Sequence, residues 1–310
     1  MNERQSPDLV ISLLPGITCA EKISLLRAFD REEDFYVQSK DDIEKLLGRQ
    51  IKKYPDMNKM RGKAEEAEAA CNARCIQWVS WKDGRYPPLL REIYDPPAVV
   101  YYRGTLPNPE KPLLGMVGTR RPSPEGAKQA YEIARGMAGA GISVVSGLAL
   151  GIDAMSHRGN LSGGVPGYAV LGSGADEIYP KTNRTIAKKI LDSGGAVISE
   201  YPPGTGAAKW NFPARNRIIS ALSRSVIIVE APKKSGALIT AAFALEQGKD
   251  VWVASRALEH SSSFRGVLFD KKGTAKLADD GAEIIGRAED VLKKWNMDYI
   301  NESKGDKEND

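Results

Sequence analysis

The chain has 310 residues, 42% of them hydrophobic and 27% charged, with a formal net charge of +4. That length can bury a large core, and the composition is that of a folded chain rather than a disordered one. No apolar run approaches membrane-spanning length and the first residues do not form a signal peptide, so a cytoplasmic protein is expected.

From the N-terminus, Leu9 to Leu14 is an apolar run ending in Pro15-Gly16-Ile17, followed by an amphipathic stretch from Ile23 to Phe29. This predicts helix, tight glycine turn, helix, a degenerate helix-hairpin-helix or SAM-like module. Further helices are expected over Asp41 to Leu47 and Gly62 to Ile76. The three cysteines, Cys19, Cys71 and Cys75, have no histidine near them, which argues against a metal site. Cys71 and Cys75 are expected on one helix face.

Trp78 to Trp81 opens a proline-rich stretch running to residue 112. Within it Ala98 to Tyr102 (A-V-V-Y-Y) predicts a strand, held at or near a sheet edge by its prolines. The expected division is a helical domain over 1–77, an extended Rossmann-like domain over 78–295, and a disordered polar tail over 296–310.

From Leu113 onward short apolar strands alternate with helices. Strands are expected at Leu113–Gly118, Ile142–Ser146, Gly167–Gly172, Ala196–Glu200, Val226–Glu230 and Asp250–Ala254, and a last one at Glu283–Ile285. The helices between them include Pro124–Ala138, one near Ile152–Arg158, Asn183–Leu191, Ala214–Leu222, Ala237–Gln247 and Glu289–Trp295. This pattern predicts an α/β fold: a doubly wound, mostly parallel, Rossmann-like sheet covered on both faces.

In such sheets ligands bind beyond the carboxyl ends of the strands. The loops there hold Gly118, Thr119 and Arg120, then Ser146 and Gly147, then the stretch Lys209 to Ile219 with Phe212, Arg215, Asn216 and Arg217, then Lys233 and Lys234. Glycines admit close backbone approach to an anion, and helix N-termini add amide donors. Cations beside aromatic rings suit a polyanion with stackable bases. Neither a G-x-G-x-x-G turn nor a Walker lysine motif is present, so no nucleotide cofactor is expected. Cations spread over separate loops suit several phosphates in a row.

Catalysis has little support. Asp153, Glu200 and Glu230 lie near strand ends, but they read more readily as helix caps or partners of the arginines. His157 reads as a packed histidine, and His260 carries no signal. The rival reading is a nucleotide or nucleoside-phosphate hydrolase that would use Glu200 or Glu230 on the same rim.

V-G-T-R-R-P-S-P-E-G at 117–126, S-G-L-A-L-G-I-D-A-M-S-H at 146–157, Y-P at 179–180, S-E-Y-P-P-G-T at 199–205, F-P-A-R-N-R-I-I at 212–219 and S-G-A-L-I-T at 235–240 resemble, in order, the motifs of the DprA/Smf family of DNA-processing proteins of bacterial natural transformation. The resemblance implies a non-catalytic protein that binds and protects single-stranded DNA and loads the RecA recombinase on it. It also implies a homodimer formed through the later part of the Rossmann-like domain. Family DNA contacts fall on Arg120, Lys209, Phe212, Arg215 and Arg217. Leu150 stands where the family commonly has arginine, and Ser255 to Gly281 departs from the usual pattern. The winged-helix module that many members carry at the C-terminus has no counterpart in this sequence.

Overall fold

The computed structural model describes residues 7–258 and 269–297. Five helices come first: α1 (Asp8–Ser12), α2 (Cys19–Ala28), α3 (Glu32–Tyr36), α4 (Lys40–Leu47) and α5 (Met57–Ala73). Local chemistry sets their ends. Thr18 and Ser39 form reciprocal capping boxes with Glu21 and Asp42, and Gly48 closes α4 in the left-handed region. Cys71 is buried near the end of α5, whereas Cys75 lies beyond that helix at φ 51° and is exposed, so the two do not share a helix face.

Nine strands then build one sheet: β1 (Gln77–Ser80), β2 (Val99–Gly104), β3 (Leu113–Val117), β4 (Ser143–Ser146), β5 (Tyr168–Leu171), β6 (Ala196–Ser199), β7 (Ser225–Ile228), β8 (Asp250–Ala254) and β9 (Glu283–Ile285). Their order is β1-β2-β6-β5-β4-β3-β7-β8-β9. Strands β1 and β2 run antiparallel to their neighbours, and all other pairings are parallel. The expected A-V-V-Y-Y strand is thus second from the edge. The W-V-S-W segment, not anticipated as a strand, supplies the edge itself.

The remaining helices are α6 (Pro88–Arg91), α7 (Pro124–Gly139), α8 (Ile152–Ser162), α9 (Arg184–Asp192), α10 (Asn211–Leu222), α11 (Gly236–Glu246), α12 (Lys272–Asp279) and α13 (Ala288–Lys294). Strand alternation sorts side chains between layers. Val100 and Tyr102 of β2 join the apolar layer under α6, α10 and α11, with Ile218, Ile219 and Ala241. Val99 and Tyr101 point to the other face and share a core with Leu9, Leu25 and Phe35 of the N-terminal helices. A third layer packs α7 and α13 on β3, β7 and β8 through Met116, Ile133, Ile227 and Trp295. Among the described residues no helix is long and apolar enough to cross a membrane. Of the expected disordered tail, Asn296 and Met297 instead fold back on α13, with Met297 packed against the third layer; residues 298–310 and His260 lie outside the described residues.

Candidate nucleic-acid interface

Direction across the sheet reverses between β3 and β7, and the loops leaving the parallel strands converge on one rim. The turn after β3 is held from two sides. Thr119 N–H donates to the Glu230 carbonyl at 2.7 Å, and Thr119 O accepts from Ile152 N–H at 3.2 Å. Gly151 has φ 75°, and a Cβ there would sit 2.4 Å from Thr119 O. Only glycine fits that junction, for both reasons. Arg120 is thereby projected into solvent, its guanidinium carbon 5.5 Å from the Phe212 ring centroid.

The loop after β4 is fixed by two buried side chains, Asp153 and Arg215. Asp153 accepts from Gly147 N–H at 3.2 Å and Ala149 N–H at 3.3 Å. Arg215 comes in from α10 and donates through Nη1 to the carbonyls of Gly147, at 2.8 Å, and Val170. A Cβ on Gly147 would meet that guanidinium at 2.6 Å. Burial raises the Asp153 carboxyl above its usual range, and burial also pulls Arg215 down to about 10. Ser146 Oγ is turned inward, donating to the Met116 carbonyl at 2.6 Å.

Helix α10 begins at Asn211, three residues earlier than the sequence predicted, because proline is tolerated in a first helical turn. Phe212, half-buried, packs over Gly172 and lies 5.5 Å from the Tyr179 ring centroid at an interplanar angle of 40°. Arg120, Gly147, Ala149, Leu150, Tyr179, Pro180, Phe212 and Arg215 line a cleft of about 50 Å³. Lys209 is exposed on the loop just before α10. That loop is clamped further back, where Gly204 N–H donates to both oxygens of Asp176 at 3.0 Å and Arg74 pairs with the same carboxylate at 3.1 Å.

The expected residues therefore divide. Gly118, Thr119, Arg120, Gly147, Lys209 and Phe212 belong to the rim or the cleft. The expectation that Arg215 faces phosphate is corrected: it is 5% exposed and its donors are committed to backbone carbonyls. Arg217 is corrected as well. It lies in a separate cavity of about 670 Å³, where it holds Glu200 in a double hydrogen bond (2.7 and 2.8 Å) and approaches the Asp95 carboxylate at 3.3 Å. Burial lowers its pKa, but Glu200 overrides this and the net direction is upward. Asn216 ties α10 to α11 through the Gly236 carbonyl at 3.0 Å. Tyr179 and Leu150 were not picked out as site residues. Tyr179 was visible as part of the Y-P motif, but no local pattern signals its long-range approach to Phe212.

The carboxylates have structural work. Glu230 accepts from Ser123 N–H at 3.0 Å and Ser123 Oγ at 2.6 Å, while that hydroxyl caps α7. Glu200 holds Arg217 and Asp153 holds the Gly147 loop. Among the described residues no cluster of His, Cys, Asp or Glu is arranged to hold a metal ion. His157 is fully buried, and neither ring nitrogen meets a hydrogen-bonding partner. Burial and then Arg215 depress its pKa to about 3. An unfolded chain with the ordinary value of 6.5 takes up a proton that the folded chain refuses between those limits. Stability is thus full above pH 6.5 and falls as pH drops towards 3. A His157→Leu variant is expected to show a shallower loss of melting temperature between pH 6.5 and 4 than the wild type.

An open Rossmann-like sheet with a ligand crevice at its strand ends defines the class. The model of the DNA recombination-mediator protein A family matches residues 77–296, and the chain belongs to that family. It is 43% identical to the Smf protein of Synechocystis over 213 residues, 67% of this chain and 51% of that protein. It is 38% identical to DNA processing protein DprA of Bacillus subtilis over 229 residues, 73% of each chain. The crystal structure of DprA from Streptococcus pneumoniae superposes with a TM-score of 0.71 at 32% identity, covering 93% of this chain and 95% of that one. A DprA structure from Helicobacter pylori, described by its single-stranded-DNA binding mode, gives 0.59 at 30% identity, covering 72% and 97%.

Proposed function

We propose that the chain binds single-stranded DNA along the strand-end rim and presents it to a RecA-type recombinase, without catalysis of its own and in the cytoplasm. The observation that carries this reading is the cleft itself. Arg120 stands by the Phe212 ring, Tyr179 meets the same ring in a tilted contact, Gly147 is in the lining, and the exposed Lys209 lies three residues before Phe212, a combination suited to phosphates and unpaired bases together. Membership of a recombination-mediator family supports it. The commitment of Glu200, Glu230 and Asp153 to structural hydrogen bonds supports the non-catalytic part over the hydrolase reading. A homodimer is part of the proposal. Helix α11 is apolar on nearly every side, with Ile239 38% and Leu245 60% exposed, as expected of a helix that is covered in an assembly.

The test is binding of oligo-dT across a salt series. Binding is expected to weaken steeply with salt, by about 0.7 log units per log unit of salt for each phosphate contact. Phe212→Ala is expected to cost about 1–3 kcal/mol at constant salt, through loss of base contact. Release of free base from nucleoside monophosphates, abolished by Glu200→Gln, would replace this reading with the hydrolase.

A further inference from the structure

The N-terminus of helix α10 stands between the cleft on one side and the larger cavity on the other. Phe212 points into the cleft, where Tyr179 and Arg120 already engage its ring. Trp210, the residue capping the helix, has helical dihedrals (φ −77°, ψ −22°), so successive side chains there turn by about 100°. Trp210 thus lies about 200° around the axis from Phe212 and on the side of Ala214 and Arg217. Trp210 is 78% exposed. Of the five tryptophans, Trp252 and Trp295 are each 4% exposed, and Trp78 and Trp81 are half-buried against the N-terminal helices. An indole left in water at this point costs hydrophobic free energy that a stacked base would recover.

We infer that Trp210 is a second base-stacking platform, reached when the strand crosses the N-terminus of α10 from the Phe212 cleft. This rests on the single-stranded-DNA reading of the rim. Lys209, exposed and adjacent, lies where the crossing phosphate passes. The path ends there for an electrostatic reason. Beyond Ala214 and Arg217 the larger cavity carries Glu92, Asp95, Glu200 and Glu246 against only Arg217 and Lys249. That wall repels phosphate. Stacking on an exposed indole needs an unpaired base face, so this platform also discriminates single strands from duplex.

Two readouts separate the inference from the reading beneath it: tryptophan emission, and anisotropy of a labelled oligo-dT. Unlabelled oligo-dT is expected to quench wild-type emission, whereas an abasic oligomer of the same length and a blunt duplex leave it unchanged. Trp210→Phe should abolish the quench and keep affinity within about threefold, and Trp210→Ala should weaken binding roughly 5- to 150-fold. Oligo-dT binding with no Trp210-dependent quench and full affinity in Trp210→Ala overturns this inference and leaves the DNA reading standing. Absence of any oligo-dT binding by the wild type overturns both.

Discussion

Arg120→Ala is expected to lower affinity for oligo-dT about tenfold at low salt and to flatten the plot of log K against log salt by about 0.7. The size follows from position. Arg120 is exposed at the mouth of the cleft, on a turn held by Glu230, Ile152 and Gly151, so its charge is delivered to one place with little ordering cost. It also lies over the Phe212 ring, so under the proposed single-stranded-DNA reading truncation removes a phosphate partner and one wall of the base site together. Arg120→Lys keeps the charge and should retain the salt slope while losing part of the affinity. Lys209→Ala should flatten the slope similarly. Both Ala variants binding like the wild type at every salt concentration would remove these residues from the interface.

The largest effect on stability is expected from Arg217→Ala, about 3–5 kcal/mol by urea denaturation. Its guanidinium is 5% exposed and satisfies Glu200, the Asp95 carbonyl and the Ala214 carbonyl. Removing it leaves Glu200, whose side chain is 12% exposed, as a largely buried charge without its partner. The cost is desolvation left uncompensated rather than the worth of the ion pair. The double change Arg217→Leu with Glu200→Met should therefore recover much of the loss. A single-variant loss under about 1 kcal/mol would mean that water reaches the cavity floor and solvates Glu200.

The sheet was readable because its central strands are short, nearly continuous apolar runs separated by amphipathic helices. The structural roles of Glu200, Glu230 and Asp153 were readable for a similar reason, since carboxylates at strand ends sit beside helix starts and arginines. The directions of Arg215 and Arg217 were not. Two residues apart on a helix, they face opposite sides, and which side is the groove depends on the helix's rotation against the sheet. That rotation is set by Ile218, Ile219 and Leu222 packing into the layer beneath, which is tertiary information. Strand β1 was hidden because Gln77 to Ser80 is brief and mixed, with only Val79 and Ser80 buried. Part of the stretch that departs from the family pattern, residues 259–268, lies outside the described residues.

The Asp176 clamp bears on the cost of binding. Pinned at Gly204 and Thr205 and again where α10 begins, the segment carrying Lys209 and Trp210 has only residues 206–210 between its anchors. A segment confined before its ligand arrives surrenders less conformational freedom when the ligand orders it. Because Arg74 at the end of α5 grips the same carboxylate, part of the entropy that this loop would otherwise lose on taking up a ligand is already lost in folding the N-terminal helices.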